Sequence, residues 1–290
     1  MLGVVDVGGG MRGSFTAGIY DYIADQGVQP FDYCLGVSAG SANLVSYLAG
    51  QRGRNYRFYT EYAFRERYMS MKNMARIGSY VDLDYVYDVL SGPGGEDPVD
   101  LEVFGRNAHR YQAVVTDAAS GHPVYYDGTR LTGGNFDPVK ASCCVPGACK
   151  PCPVDGVPGF DGGVADPIPY RHALDMGCDR LVVLLTRPAA YHRPPLDHQA
   201  VMQRMLANWP NSFGALKRRY VRYNTDLEAV KELQAEGKAL LVAPKSIAGM
   251  STLTKDHEAV ERLYRMGYRA GEQVLAFARG ETVRSETEMA

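Results

Sequence analysis

The first 50 residues repeat one pattern twice: a short apolar run, a glycine-rich turn and a helical segment. Residues 2–7 and 32–37 are predicted strands, and residues 14–26 and 39–49 are predicted helices. A strand that leads through a tight turn into a helix is typical of a parallel sheet, because the helix returns the chain to start the next strand alongside. The sequence therefore predicts an α/β protein.

The rest of the chain continues this pattern with one interruption, the mainly helical and tyrosine-rich residues 54–107. Strands are predicted at 111–116, 123–126, 181–186 and 239–243, a short helix at 136–144, and a strand or extended loop at 160–163. Apolar residues recur at helical spacing over 260–278, which predicts a long final helix. Because no linker divides the chain, we expect one domain over residues 1–280, with 54–107 as a helical insertion and 281–290 as a polar tail.

The composition argues against several classes of function. The chain has 290 residues, a net charge of −2 and no block of like charge, so no nucleic-acid partner is expected. The first residues lack the basic and apolar regions of a signal peptide, and no apolar run reaches the roughly 20 residues of a membrane helix. The sequence thus predicts a cytoplasmic protein with reduced thiols.

Four of the six cysteines lie close together in the sequence, which raises the question of a metal site. Cys149 and Cys152 have C-x-x-C spacing. The other two, Cys143 and Cys144, are adjacent and direct their side chains differently, unlike a second ligand pair. Small buried thiols are common in protein cores. We therefore expect structural cysteines, no metal and no cofactor.

The first glycine-rich turn reads Gly8-Gly9-Gly10-Met11-Arg12-Gly13. It matches the G-x-G-x-x-G pattern of dinucleotide-binding sites. Such a site also needs an acidic residue where the second strand ends, and that position holds Ser38, whereas Asp32 begins the strand. Glycines at a helix N-terminus can instead present unobstructed N–H groups to an oxyanion.

The second turn reads Gly36-Val37-Ser38-Ala39-Gly40. A G-x-S-x-G between a strand and a helix is the setting of a nucleophile elbow, where the serine occupies a strained turn and flanking glycines avoid clashes. The five residues alone also fit an ordinary turn with a capping serine. Their position in the predicted sheet favours Ser38 as a nucleophile.

A proton acceptor for Ser38 is predicted in the run Phe160-Asp161-Gly162-Gly163. An exposed carboxylate is too acidic to accept this proton well, but burial raises its pKa. The alternative is an Asp-Gly turn on the surface. Asp166, which precedes Pro167, is predicted to cap the next helix and is not counted as catalytic.

In this order the three motifs resemble those of the patatin-like phospholipase family. The resemblance covers most of residues 3–187. It implies a three-layer α/β/α sandwich with a mainly parallel central sheet, and a catalytic Ser–Asp dyad without histidine. By this resemblance Ser38 attacks an acyl carbonyl, Asp161 takes its proton, and the loop Gly8 to Gly13 forms the oxyanion hole. The implied partner is a lipid or acyl-ester substrate, which allows transient contact with a membrane surface.

Three questions stay open at this point. Arg12 either adds positive charge near the oxyanion or ties the loop down by pairing with a carboxylate. A Ser–Asp–His triad would need a histidine after Asp161, and none of the candidates lies in a distinctive loop. Those candidates are His172, His192, His198 and His257. A non-catalytic acyl- or lipid-binding protein that keeps the fold is the other function, although the complete motifs favour an enzyme.

The interruption at residues 54–107 is predicted to shape an acyl pocket near the active site. Its tyrosines are Tyr56, Tyr59, Tyr62, Tyr68, Tyr80, Tyr85 and Tyr87. The segment directly follows the nucleophile helix, and tyrosine combines an apolar ring with a polar tip, which suits a boundary between acyl chain and water. The alternative is that these rings only pack helices onto the sheet.

Overall fold

The computed structural model describes residues 1–247 and 249–281. Within them, a mixed sheet lies between helices on both of its faces, a three-layer α/β/α sandwich. Its strands are β1 (Leu2–Asp6), β2 (Tyr33–Val37), β3 (Tyr111–Asp117), β4 (Pro123–Asp127), β5 (Cys152–Val154), β6 (Val157–Asp161), β7 (Arg180–Leu184) and β8 (Ala239–Val242). The architecture predicted from the sequence is confirmed.

The α-helices of the described chain connect these strands and cover the sheet. They are α1 (Ser14–Asp25), α2 (Ala39–Leu48), α3 (Arg54–Thr60), α4 (Met71–Ile77), α5 (Leu101–Asn107), α6 (Asp137–Ser142), α7 (Tyr170–Asp175), α8 (Gln199–Met205), α9 (Pro210–Ala235) and α10 (His257–Ala278). The segment 54–107 is helical, as predicted, and also contains a π-helical stretch at Tyr85–Leu90.

The strands follow the order β5-β6-β3-β2-β1-β7-β8, and β4 pairs with β3 outside this path. All neighbours from β3 to β8 along this order are parallel, whereas β4, β5 and β6 add antiparallel pairs at one side. Strand β1 lies between β2 and β7. The strands that follow β1 in sequence, β2 and β3, extend the sheet on one side, and the later strands β7 and β8 extend it on the other. In open α/β sheets, ligands bind at such a switch point, outside the carboxyl ends of the strands.

Alternate residues of the central strands enter two separate apolar cores. In β1, Val4 packs with α1, α2 and α10, whereas Val5 packs on the opposite face with α7 and α9. Both valines are fully buried. A strand covered on both faces reads as a continuous apolar run, which is why β1 and β7 could be recognised in the sequence.

Most predicted elements are present with ends shifted by a few residues. One expectation is wrong: Asp166 does not cap a helix. Helix α7 begins only at Tyr170, after Pro169, and its N-cap has no side-chain hydrogen bond. The residue before a proline disfavours helical backbone, so Ile168 cannot continue a helix begun at Pro167. Asp166 is buried instead and accepts a 2.6 Å hydrogen bond from the Tyr125 hydroxyl.

Helix α9 has no counterpart among the predicted elements. Its buried apolar residues Leu216, Tyr223, Leu227 and Val230 recur at helical spacing, but charged residues between them make the segment polar on average. Beyond it, β8 extends the sheet by pairing in parallel with β7, and α10 packs along α1. The last hundred described residues therefore complete the same sheet and the same apolar core.

We predict that Gly267→Ala lowers the free energy of unfolding by about 1–3 kcal/mol, because α1 and α10 touch through their backbones. A Cβ at Gly267 would overlap the Phe15 carbonyl oxygen, and neither backbone can yield cheaply. Urea denaturation measures the change. Gly105→Ala is the control, since its nearest atom would be 3.8 Å away and alanine favours a helix by up to about 1 kcal/mol. Equal effects of both substitutions would contradict the prediction.

Candidate active site

Ser38 lies between the end of β2 and the start of α2, in a backbone conformation that is rare for a residue with a side chain. Its φ is 55° and its ψ −131°. The turn packs tightly on β1, because a Cβ at Gly40 would lie 2.5 Å from a carboxylate oxygen of Asp6. The Ser38 N–H donates a 2.9 Å hydrogen bond to the Ser142 hydroxyl. A strained, supported turn of this kind is the geometry of a nucleophile elbow, and Gly36 and Gly40 flank it.

Asp161 is the last residue of β6 and lies beside Ser38. Its side chain is buried and accepts a 2.8 Å hydrogen bond from the Gly163 N–H. Burial raises the pKa of Asp161, while the positive charge of Arg219, the nearby Ser38 hydroxyl and the hydrogen bond from Gly163 oppose that rise. The carboxylate is therefore a better proton acceptor than an exposed aspartate, yet it is still favoured in its ionised form by its neighbours.

The glycine loop follows β1 and passes close to the elbow. Gly8, Gly9 and Gly10 all have positive φ, at 63°, 138° and 58°. At Gly8 a Cβ would overlap the backbone at the end of β2, so only glycine fits there. Close approach of the loop to Ser38 thus depends on this run of glycines.

The N–H groups of the loop fall into two sets. The Gly8 N–H donates a 3.0 Å hydrogen bond to the Asp6 carboxylate, and the Met11 N–H donates one of 2.9 Å to the Thr252 carbonyl. The N–H groups of Gly9 and Gly10 have no acceptor within residues 1–247 and 249–281. These two donors are accordingly free to bind an added anion.

Arg12 is buried, with 4% of its surface exposed. Its Nη1 lies 3.4 Å from the Thr252 hydroxyl, and it forms no ion pair with any carboxylate of the described chain. Pairing with a carboxylate, one of its two predicted roles, is therefore wrong. Thr252, rather than a carboxylate, holds the loop through its contacts with Met11 and Arg12.

An apolar cavity opens on one side of Ser38. The segment 54–107 contributes the largest share of its wall, including Phe58, Tyr59, Tyr68, Met69, Leu83 and Tyr87. The remaining wall comes mainly from α2, α6 and the residues after α6, Cys143 among them. Of the seven tyrosines in the segment, Tyr62 and Tyr85 pack in a small cluster of their own, and Tyr56 contacts α10.

A second cavity, polar in character, opens on the other side of Ser38. Asp161 lines it together with Gly8 and Gly9 of the loop. Its basic residues are Arg12, Arg187, Arg193 and Arg219. Only Arg12 was a sequence candidate. Arg187 could have been found, because it follows the predicted strand 181–186 and parallel strands place ligands at their carboxyl ends. Arg193 and Arg219 carry no comparable signal.

The histidines that could complete a triad have other partners, and none lines either cavity. His172 stacks on Tyr125, His192 hydrogen bonds to Glu228, and His257 stacks on Phe64. His198 lies at the start of α8. Within the part of the chain that the structure describes, no set of three or more His, Cys, Asp and Glu is arranged to hold a metal ion, and all six cysteines are free thiols.

A sequence model of the family described as patatin-like phospholipase matches residues 7–174, and one described as a domain of unknown function (DUF6363) matches residues 210–277. The uncharacterized protein YjjU of Escherichia coli K12 is 27% identical over 198 residues, which cover 67% of this chain and 54% of YjjU, about half of that relative. The crystal structure of VipD from Legionella pneumophila aligns with 94% of this chain and 66% of its own, with a TM-score of 0.47 and 16% identity.

We predict that Asp6→Asn changes how stability depends on pH. Burial raises the pKa of Asp6 to about 6, above its value in the unfolded chain, so the folded protein loses stability as pH rises through this range. Between pH 5 and pH 8 the wild type should lose about 1.5 kcal/mol more unfolding free energy than Asp6→Asn. Urea denaturation at both pH values tests this, and parallel behaviour of the two proteins would contradict it.

Proposed function

The chain belongs to the patatin-like phospholipase family, and from this premise we propose that it is a serine acyl-ester hydrolase acting on lipid esters. Ser38 is the nucleophile and Asp161 the general base. The observation that carries the proposal is the pairing of a serine in a strained elbow with a buried carboxylate whose pKa is raised. These are the properties that a two-residue catalytic unit requires.

The chemistry proceeds in two displacements. As the Ser38 oxygen attacks the acyl carbonyl, Asp161 accepts the hydroxyl proton and then gives it to the departing alcohol, which leaves an acyl-serine. Water attacks this ester next, Asp161 again accepts the proton, and the carboxylic acid is released as the proton returns to Ser38. No step requires a histidine or a metal.

The N–H groups of Gly9 and Gly10 stabilise the negative oxygen of each tetrahedral intermediate. They are the N–H groups of residues 8–11 that lack an acceptor within the described chain. Gly8 and Met11 have structural partners and act by holding the loop. Donors fixed in place before the reaction cost no reorganisation when the charge develops, which makes this contribution large.

The two cavities that meet at Ser38 support an amphiphilic ester as the substrate. The apolar cavity takes the acyl chain, and the polar one takes the alcohol part. The segment 54–107, which supplies much of the apolar wall, also exposes Met71 and Val89 to solvent. We propose that the protein makes transient contact with a membrane that presents this substrate.

No helix of the described chain is both long and apolar enough to span a bilayer. The cytoplasmic location remains a prediction. The alternative function, non-catalytic binding of an acyl group, needs the same apolar cavity but not the buried carboxylate. The experiment below distinguishes a non-catalytic binding protein from an enzyme.

We predict that Ser38→Ala and Asp161→Asn each lower kcat on a soluble short-chain ester by roughly 10⁴-fold, since one removes the nucleophile and the other the proton acceptor. Both variants should fold normally. A fluorophosphonate probe should label the wild type and fail to label Ser38→Ala.

The control is His192→Ala, which should stay within about tenfold of the wild type. A histidine variant as inactive as Asp161→Asn would restore the triad. A wild type that neither hydrolyses esters nor reacts with the probe would favour the binding protein.

We predict that Tyr87→Ala shifts the preferred acyl-chain length, because this ring lines the apolar cavity, where its hydroxyl lies 3.2 Å from Cys143 Sγ. Removing the ring lengthens the space open to the chain, so kcat/KM should rise for long chains relative to short ones. The measurement is hydrolysis of p-nitrophenyl esters of increasing length. Tyr56→Ala is the control, since Tyr56 packs on Tyr264 outside the cavity. An unchanged profile in a folded Tyr87→Ala protein would contradict the acyl-pocket assignment.

A further inference from the structure

Four arginine side chains converge on the polar side of Ser38, from parts of the chain far apart in sequence. Arg12 comes from the glycine loop, Arg187 from just after β7, Arg193 from the following loop and Arg219 from α9. Together with Asp161 they are all the charged residues that line this cavity. Four cations therefore face one anion.

The four guanidinium groups lack the partners that enclosed cations normally have, although Arg12 is buried and the other three are half-buried. In each of them the Nε atom is buried without a hydrogen-bond acceptor. None of the four forms an ion pair with a described carboxylate, and their side chains make a single hydrogen bond, the 3.4 Å contact of Arg12 with Thr252. Buried polar atoms are usually hydrogen-bonded, so four buried Nε atoms without acceptors indicate a cluster that can receive an anion.

A neighbouring arginine on the same helix shows the usual arrangement. Arg222 lies one turn beyond Arg219 and forms ion pairs with Asp166 at 3.3 Å and Asp226 at 3.6 Å. The chain thus supplies carboxylates to an arginine of α9 where the role is structural. Arg219 forms no such ion pair with a described residue, and the carboxylate that raises its pKa, Asp161, lines the same cavity.

Other contacts hold these arginines in position without neutralising them. Arg187 lies over the ring of Tyr191 at 4.3 Å, and Arg193 over that of Tyr223 at 5.1 Å. Asn224 fixes the Arg193 backbone from both sides, accepting from its N–H at 2.7 Å and donating to its carbonyl at 3.0 Å. Aromatic faces and a backbone clamp leave the guanidinium charges available to a ligand.

The positive charges also act on one another. Burial, followed by the charges of the other three arginines, lowers the pKa of Arg12 to about 10. Burial and the charge of Arg193 lower the pKa of Arg219 to about 10 as well. Arg12 and Arg219 therefore keep their charge at neutral pH, and an anion in the cavity would relieve the repulsion that acts on them.

We propose that Arg12, Arg187, Arg193 and Arg219 form a binding subsite for the phosphate group of the substrate. The enzyme then selects acyl esters that carry a phosphate near the scissile bond over neutral esters with the same acyl chain. This selectivity rests on the function proposed above. A phosphate offers several acceptor oxygens and up to two negative charges, which match the forked donors of several arginines.

Position supports the same assignment. Both cavities include Ser38, Val145 and Thr252, so one substrate can place its acyl chain in the apolar cavity and its phosphate among the arginines. Three of the arginines lie beyond residue 174, where the match to the patatin-like family ends. The later part of the chain therefore determines the substrate of a reaction carried out by the earlier part.

The first test measures binding without catalysis, in the Ser38→Ala protein. Inorganic phosphate should raise its melting temperature more than sodium chloride of equal ionic strength, because the phosphate binds only the folded state. Adding Arg187→Gln and Arg193→Gln should abolish this shift, whereas Arg218→Gln, at an exposed position beside Arg219, should preserve it. A shift that survives loss of both arginines, or no shift in Ser38→Ala, would overturn the subsite.

The second test compares short-chain phosphatidic acid with diacylglycerol of the same acyl groups. We expect the ratio of their kcat/KM values to favour phosphatidic acid, and to fall at least tenfold in Arg187→Gln/Arg193→Gln but not in Arg218→Gln. An unchanged ratio would refute the proposal while leaving the hydrolase intact. Should the double variant misfold, Arg187→Gln alone and competition by inorganic phosphate against the wild type decide the same question.

The two proposals fail in different ways. If the wild type hydrolyses no ester and Ser38 is not labelled, the function is wrong, and phosphate binding by Ser38→Ala still decides the subsite. Arg219→Gln is kept apart, because Arg219 also lowers the pKa of Asp161. Its loss should raise that pKa and move the acidic limb of the rate profile to higher pH. Such a shift is not expected of Arg187→Gln, which isolates phosphate binding from tuning of the base.

Discussion

The parallel pairing of β1 with β2 on one side and with β7 on the other is the constraint on which the whole site depends. Parallel strands end at the same edge of the sheet, so the loops that follow these three strands must meet. The glycine loop, the elbow of Ser38 and Arg187 are neighbours for this reason. Asp6, at the end of β1, strengthens the junction, since its carboxylate binds the Gly8 N–H and packs against Gly40.

The sequence predicted the parts of this arrangement that are encoded locally. An apolar run, a glycine turn and an amphipathic helix each follow from a few adjacent residues, which is why β1, β2 and the Ser38 elbow could be placed. Helix α9 was not predicted, because its many charged residues make the segment polar on average and obscure the helical spacing of Leu216, Leu227 and Val230. Arg193 and Arg219 belong to the site only through the packing of that helix. Asp166 was misassigned because a capping pattern was read without the constraint imposed by Pro169.

The electrostatics of the site combine opposing effects of burial. Burial raises the pKa of Asp161, which would improve it as a base but also favours its neutral form. The positive charge of Arg219 favours the ionised carboxylate. The same burial lowers the pKa of Arg219, although only to about 10, so its charge persists at neutral pH. The arginines near the proposed base thus oppose the effect of burial on its pKa.

Residues after 174, where the match to the patatin-like phospholipase model ends, contribute to the site. Strand β8 pairs with β7 and supports the edge from which Arg187 emerges. The Thr252 carbonyl accepts a hydrogen bond from the Met11 N–H and so holds the glycine loop. Helix α9 packs into the apolar core that contains Val5, and it places Arg219 near Asp161. Because these contacts fix the glycine loop and place Arg219 near Asp161, the motifs in the first part of the chain owe part of their geometry and charge to the second.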